Sequence, residues 1–168
     1  MVECYIALGS NLEQPAQQLL RAIEVLKRLP ESRFIAASSF YGSVPMGPQD
    51  QPNYVNAVVN IETALAPLAL LDQLQAIEVN FGRLKGERWG ARVLDLDLLL
   101  YGGQIIDHPR LQVPHVGIAQ RAFVLLPLSE IVDELFIPKQ GCLTDLLLKI
   151  EKETLWRLPD ESDEVQRA

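Results

Sequence analysis

Asp95 and Asp97 stand one residue apart inside Arg92-Val93-Leu94-Asp95-Leu96-Asp97-Leu98-Leu99-Leu100-Tyr101, the most apolar run of the chain. Branched and aromatic residues in such a run read as a β-strand. Side chains alternate along a strand, so the two acids share one face while Leu94, Leu96 and Leu98 take the other, with the Asp Cα atoms about 6.6 Å apart. Two carboxylates in a largely buried strand are costly unless a cation compensates them. Mg²⁺ is one such cation, since hard ions favour carboxylates, water and phosphate oxygens. Paired acids can hold two ions across an in-line phosphoryl displacement. Salt bridges to Arg88 and Arg92, or a plain exposed strand end, are the other readings, and Asp-x-Asp alone does not choose among them.

Positive charge lies just upstream. Arg83, Lys85, Arg88, Trp89 and Arg92 fall in a polar stretch, Gly82 to Arg92, that reads as a loop. Arginine forks match phosphate oxygens and lysine is a mobile point charge, so the loop could close over a bound polyphosphate. The plainer reading is a solvated loop, which Trp89 fits badly, because an indole there either plugs the core or covers a ligand. Net charge is −7, yet residues 82–125 carry five Arg and one Lys against four acids, and the rest of the chain nine bases against eighteen acids. A basic island in an acidic chain suits a local anion and argues against a nucleic-acid partner; chance clustering with salt bridges would look the same.

The usual nucleotide cradles are missing: there is no G-x-x-x-x-G-K-[ST] and no G-x-G-x-x-G. A nucleotide would therefore be held by arginines and metal. The two cysteines, Cys4 and Cys142, lack metal-ligand spacing, and His108 and His115 neighbour no plausible nucleophile. His115 could donate to a phosphate, or could be an ordinary core or surface histidine. Tyr54 and Asn56 share a strand face, where a ring and an amide that both donates and accepts suit a flat heterocycle, though ordinary edge packing would use them too. Phe123 reads more readily as core than as a stacking platform.

These residues need elements to place them. Cys4 to Leu8 reads as a strand ended by a turn and helix cap at Gly9-Ser10-Asn11. Ala16, Leu19, Leu20, Ile23 and Leu26 recur at helical spacing up to Pro30. Arg33 to Tyr41 reads as a second strand and Gly42 to Pro52, with its three prolines, as loop. Tyr54 to Thr63 is a strand with Val55, Ala57, Val59 and Ile61 on one face. Pro67 opens a helix whose stripe is Leu70, Leu71, Leu74, Ile77 and Phe81, with Gln75 and Glu78 on a common flank. After the Asp95/Asp97 strand come a Gly102-Gly103 turn and a hairpin return at Gln104 to Asp107, then a helix from about Ala119 containing Arg121 and Phe123. Thr144 is placed to cap a last helix through Ile150. The order β-α-β-β-α-β points to an α+β sandwich of ferredoxin-like type, mainly antiparallel, with extra C-terminal elements.

With 168 residues the chain suits one domain, over 1–158, with an acidic, frayed tail at 159–168. No apolar stretch approaches the roughly 20 residues of a membrane span, and the N-terminus lacks the pattern of a signal peptide. With Cys4 read as a buried thiol, a reducing cytoplasm is the expected compartment.

Four segments in order resemble the 6-hydroxymethyl-7,8-dihydropterin pyrophosphokinase family. They are Ala7-Leu8-Gly9-Ser10-Asn11-Leu12, Gly47-Pro48-Gln49-Asp50-Gln51-Pro52 with Tyr54 and Asn56, Arg88 through Leu99, and Val113-Pro114-His115 through Arg121-Ala122-Phe123. The resemblance implies diphosphate transfer from ATP to the hydroxymethyl group of the dihydropterin, releasing AMP in folate biosynthesis; separately, a monomer is the expected state. It implies two Mg²⁺ ions on Asp95 and Asp97, with Arg83 and Arg92 also catalytic. ATP would meet Gln75, Glu78, Lys85, Arg88, Trp89, Leu98, Arg110, His115 and Arg121, and the pterin Ser43, Val44, Met46, Tyr54, Asn56 and Phe123. Gly42, Ser43, Ala91 and Val116 depart from the commoner family pattern. Another Mg²⁺-dependent phosphoryl or nucleotidyl transferase, or a non-catalytic nucleotide-binding module, are the alternatives.

Overall fold

Apolar residues at every second position, or in unbroken runs, build the strands that carry the candidate residues. The computed structural model describes residues 1–45, 51–82, 93–151 and 155–159. In chain order the elements are β1 (Val2–Ser10), α1 (Pro15–Leu26), β2 (Ser32–Ala37), β3 (Tyr41–Ser43), β4 (Tyr54–Thr63), α2 (Pro67–Asn80) and β5 (Asp95–Tyr101). A small hairpin, β6 (Ile106–His108) and β7 (Leu111–Val113), follows, then a 3₁₀ turn at Ile118–Gln120 and α3 (Ala122–Ile131). The described chain closes with β8 (Phe136–Ile137), β9 (Gly141–Cys142), α4 (Leu143–Lys149) and β10 (Leu155–Arg157).

The main sheet runs β10-β3-β4-β1-β5, with β2 also paired to β4, and every pairing in it is antiparallel. Helices cover both faces. Leu19, Ala22, Ile23 and Leu26 of α1 and Leu70, Leu71, Leu74 and Ile77 of α2 pack on Cys4, Ile6, Leu8, Ala57, Val59, Ile61, Leu96 and Leu98. On the other face Val124, Leu125 and Leu128 of α3 and Leu143 of α4 cover Tyr5, Val58, Leu99 and Leu100. Helices on both faces let Leu98, Leu99 and Leu100 be consecutive and all buried, and a slip in the β1–β5 register between Tyr5 and Ile6 puts Leu99 and Leu100 in the same layer. The extra residue is a bulge that reverses the parity of the strand beyond it.

Cys4 is fully buried in the first layer, and burial pushes its thiol up to about 12. No helix among the described residues is long and apolar enough to cross a membrane.

Several boundaries differ from the sequence expectation. Gly9 and Ser10 continue β1 rather than turning, and α1 starts later, behind a left-handed Gln14 that makes no side-chain cap. The stretch Arg33 to Tyr41 is two strands. Ser38 breaks them by using its own Oγ to accept from Val58 N at 2.9 Å, where a ladder carbonyl would otherwise stand. Gly42 and Ser43 are strand, not loop. Residues Gln104 to Asp107 do not fold back on β5; β6 pairs with β7 instead. Arg121 precedes α3 in an extended conformation. Thr144 does not cap α4; its hydroxyl donates to Glu134 Oε2 at 2.9 Å. The expected tail lies outside the described residues from position 160 on.

Candidate active site

Sheet register brings the candidate residues into one row. Tyr41 pairs with Asn56, Asn56 with Gly9, and Gly9 with Asp95. Paired residues point to the same side, so Asn56 and Asp95 share the α3 face, about 10 Å apart across two strand spacings. Asp97 is one step further along that face, opposite Ala7. Leu94, Leu96 and Leu98 point into the opposite layer, as strand alternation requires.

Between Asn56 and Asp95 the floor is open because residue 9 is glycine. A Cβ there would stand 3.4 Å from Asn56 Oδ1 and 3.7 Å from Tyr54 Cδ1. The Asn56 amide is fixed: it is buried, and Nδ2 donates to Ser43 Oγ at 2.7 Å and to Tyr41 O at 3.4 Å. With the donor end committed to β3, Oδ1 lies over Gly9. Asn11, also buried, ties the end of β1 to the following loop, donating to Gln51 Oε1 at 2.9 Å and Pro52 O at 3.0 Å.

The acids are less enclosed than the apolar run suggests, since the Asp97 side chain is 47% exposed. Their electrostatic cost is correspondingly reduced by solvent. His115 Nε2 stands 4.0 Å from Asp97 Oδ2. His115 Nδ1 accepts from Gly117 N at 3.1 Å, which leaves the neutral ring's proton on Nε2, facing the carboxylate. The ring is anchored by its backbone, His115 N donating to Leu99 O at 3.0 Å. Burial lowers its pKa, Asp97 opposes that, and Arg121 adds to it. Arg121 lies flat on Gly117, where a Cβ would come within 2.6 Å of Nε, and its guanidinium is 5.7 Å from the Phe123 ring centroid.

Other expected residues fall elsewhere. Arg110 Nη2 pairs with Asp72 and donates to Gln75 Oε1 at 3.2 Å, joining Arg110 and Gln75 on the outer flank of α2. Glu78 does not share that flank: it is buried, and Oε2 accepts from Leu96 N at 2.8 Å. The Leu98 side chain is in the α1/α2 layer, away from the acids' face. Val44 is exposed, Tyr54 half-buried, and Phe123 packs on the α3-side core. Met46, Arg83, Lys85, Arg88, Trp89 and Arg92 lie outside the described residues. A cavity of about 250 Å³ opens between the β6–β7 and β8–β9 hairpins, and among the described site residues His115 lines it.

Residues without an expected role also build the site. Gly9 and Gly117 clear space, Asn11 ties the loop, and Tyr41 supplies a carbonyl. The Gly-Ser-Asn motif hinted at the first and third; nothing in one sequence marks a glycine under an arginine or a carbonyl beside an amide.

Among the described residues no cluster of three His, Cys, Asp or Glu forms a protein-only metal cage. Two carboxylates on one face, partly open to solvent, instead match a hard cation that keeps water and takes substrate phosphate oxygens. The donor set fits magnesium.

Residues 5–133 match the family described as 7,8-dihydro-6-hydroxymethylpterin-pyrophosphokinase (HPPK). The chain is 51% identical over 147 residues to 2-amino-4-hydroxy-6-hydroxymethyldihydropteridine pyrophosphokinase of Haemophilus influenzae, covering 88% of this chain and 92% of that one. It is 50% identical to the protein of the same name from Pseudomonas aeruginosa, covering 92% and 96%. In fold it is similar to wild-type Plasmodium falciparum HPPK-DHPS, solved with pterin and p-hydroxybenzoate, with a TM-score of 0.73 at 15% identity. That match covers 93% of this chain but 45% of the other, so the chain spans about half the length of that solved protein.

Proposed function

We propose that this chain, which belongs to the 7,8-dihydro-6-hydroxymethylpterin-pyrophosphokinase family, transfers a diphosphate from ATP to 6-hydroxymethyl-7,8-dihydropterin. The hydroxymethyl oxygen attacks the β-phosphorus, the bond from that phosphorus to the α–β bridging oxygen breaks, and AMP leaves while the hydroxyl proton is lost. Such a reaction asks the protein for positioning and charge stabilisation rather than covalent chemistry. The observation that carries the reading is the row Asn56–Gly9–Asp95: a fixed amide and a carboxylate pair at the two ends of a floor without side chains.

Asn56, oriented by Ser43, meets the polar edge of the heterocycle, with Tyr54, Val44, Met46 and Phe123 around it. The hydroxymethyl arm then extends toward Asp95 and Asp97. These two acids would hold magnesium, two ions by resemblance to the family, which when bound neutralises phosphate charge and polarises the group in transfer. His115 carries its Nε2 proton 4.0 Å from Asp97 Oδ2, beyond hydrogen-bond reach of it, and donates to an ATP phosphate. Arg121, seated on Gly117, and Arg110 with Gln75 supply positive and polar groups for ATP, while Leu98 packs in the α1/α2 layer and makes no such contact. Arg83 and Arg92 stabilise charge on the transferred group, and Lys85, Arg88 and Trp89 close over the nucleotide.

The β5-β1-β4-β2 order with α1 and α2 on one face supports a ferredoxin-like core, and residues 1–158 form one domain followed by a tail at 159–168. The enzyme works as a cytoplasmic monomer without nucleic-acid or membrane partners. Incubation with ATP, Mg²⁺ and the dihydropterin alcohol should release AMP and pterin diphosphate in equal amounts, read by chromatography. ADP in place of AMP would show single-phosphoryl transfer and overturn the proposal.

A further inference from the structure

Glu78 is a buried carboxylate that the reaction above does not use. It sits in the last turn of α2, where the negative end of the helix dipole disfavours an anion, and burial disfavours it again. Two further acids, Asp95 and Asp97, flank its partner. A side chain kept against three unfavourable terms needs a compensating role. Its Oε2 accepts from the amide of Leu96, the one residue between the two acids, at 2.8 Å.

β5 ends the sheet order, so among the described residues one of its sides has no strand neighbour. In an antiparallel ladder alternate residues turn their amides toward the neighbouring strand and away from it. The Leu96 amide takes its partner from α2 and so belongs to the outward set, and Glu78 does there what a further strand would otherwise do. We infer that Glu78 is a positioning residue: by holding the Leu96 peptide it fixes the spacing and direction of the Asp95 and Asp97 carboxylates. The resemblance places Glu78 near ATP; the bond from Leu96 N gives its Oε2 a role within the protein itself. The metal arm of the inference rests on the reading of Asp95 and Asp97 as the metal-holding pair; the hydrogen bond does not.

Amide hydrogen exchange on the metal-free protein separates the two. Leu96 should be protected in the wild type, and equally in Glu78→Gln, whose amide oxygen still accepts. In Glu78→Ala its protection should fall roughly 10- to 100-fold while Ile6 and Val59 amides in central strands keep theirs. Mn²⁺ titration in the presence of a non-hydrolysable ATP analogue should then show about tenfold weaker binding in Glu78→Ala and little change in Glu78→Gln. Leu96 exchanging in the wild type as an open edge amide overturns the inference, and that arm holds even if Glu78→Ala does not fold. Equal loss of Mn²⁺ binding in Glu78→Gln and Glu78→Ala, with Leu96 still protected in Glu78→Gln, points instead to a charge contact and also overturns it. Unchanged Mn²⁺ binding in Asp95→Asn and Asp97→Asn would remove the metal reading while leaving the Leu96 hydrogen bond standing.

Discussion

Ser43 and Asn56 form a pair whose energy can be worked out before any measurement. Asn56 Nδ2 donates to Ser43 Oγ at 2.7 Å, whereas its 3.4 Å contact with Tyr41 O is near the outer limit for a hydrogen bond. Ser43→Ala therefore leaves a buried amide hydrogen with only the long contact, costing about 1–2 kcal/mol of stability. Asn56→Ala loses the same bond and opens a small cavity, for about 2–3 kcal/mol. The double variant loses the shared bond once, so its cost should fall short of the sum by about 1 kcal/mol. Urea denaturation of the four proteins reads this coupling directly. In steady-state assays Asn56→Ala should raise the pterin KM about 10- to 100-fold, the equivalent of one or two lost hydrogen bonds, while the ATP KM moves less than about twofold. Additive stabilities, with coupling below about 0.3 kcal/mol, would show that the two side chains do not share a bond that matters. Equal rises in both KM values would place Asn56 in the scaffold rather than the pterin pocket.

Two further perturbations address the scaffold. Gly42→Ala should destabilise by about 2–3 kcal/mol and shift tryptophan emission, because the new Cβ would fall 2.2 Å from Trp156 Cε2 and drive a more than half-buried indole off β3; an unchanged urea midpoint would contradict that packing. Cys4 titrates from 9.0 upward to about 12, chiefly through burial. Above pH 9 the unfolded chain releases the thiol proton that the folded one keeps, so stability falls with rising pH, by at most about 1.4 kcal/mol per unit. Cys4→Ala should flatten that part of the pH–stability curve, and parallel curves would show that the thiol is not what titrates.

The parts of the site that alternation governs were legible from residue order. Asp95 and Asp97 on one face with Leu94, Leu96 and Leu98 on the other follows from strand geometry, and so does the two-faced strand Tyr54–Thr63. What eluded the sequence depended on partners far along the chain. Ser38 breaks a strand because Val58 stands opposite it, and Glu78 leaves its expected flank because an edge amide lies beside it. Leu98, Leu99 and Leu100 look like one uniform run, and the bulge that places Leu99 and Leu100 in the same layer exists only once β1 is alongside. β10 has no periodicity of its own to read: its three residues are strand because β3 has an open edge and Trp156 fits over Gly42.

The most direct test of the central claim is turnover of Asp95→Asn and Asp97→Asn under a Mg²⁺ titration, read as AMP released. Both substitutions keep side-chain size and remove one charge, so the urea midpoint should hold or rise. The account predicts a fall in kcat of about 10³-fold or more in each variant, with saturation displaced to higher Mg²⁺. Near-normal AMP release by either variant at saturating Mg²⁺ would contradict the assignment of this carboxylate pair to the transfer of the diphosphate.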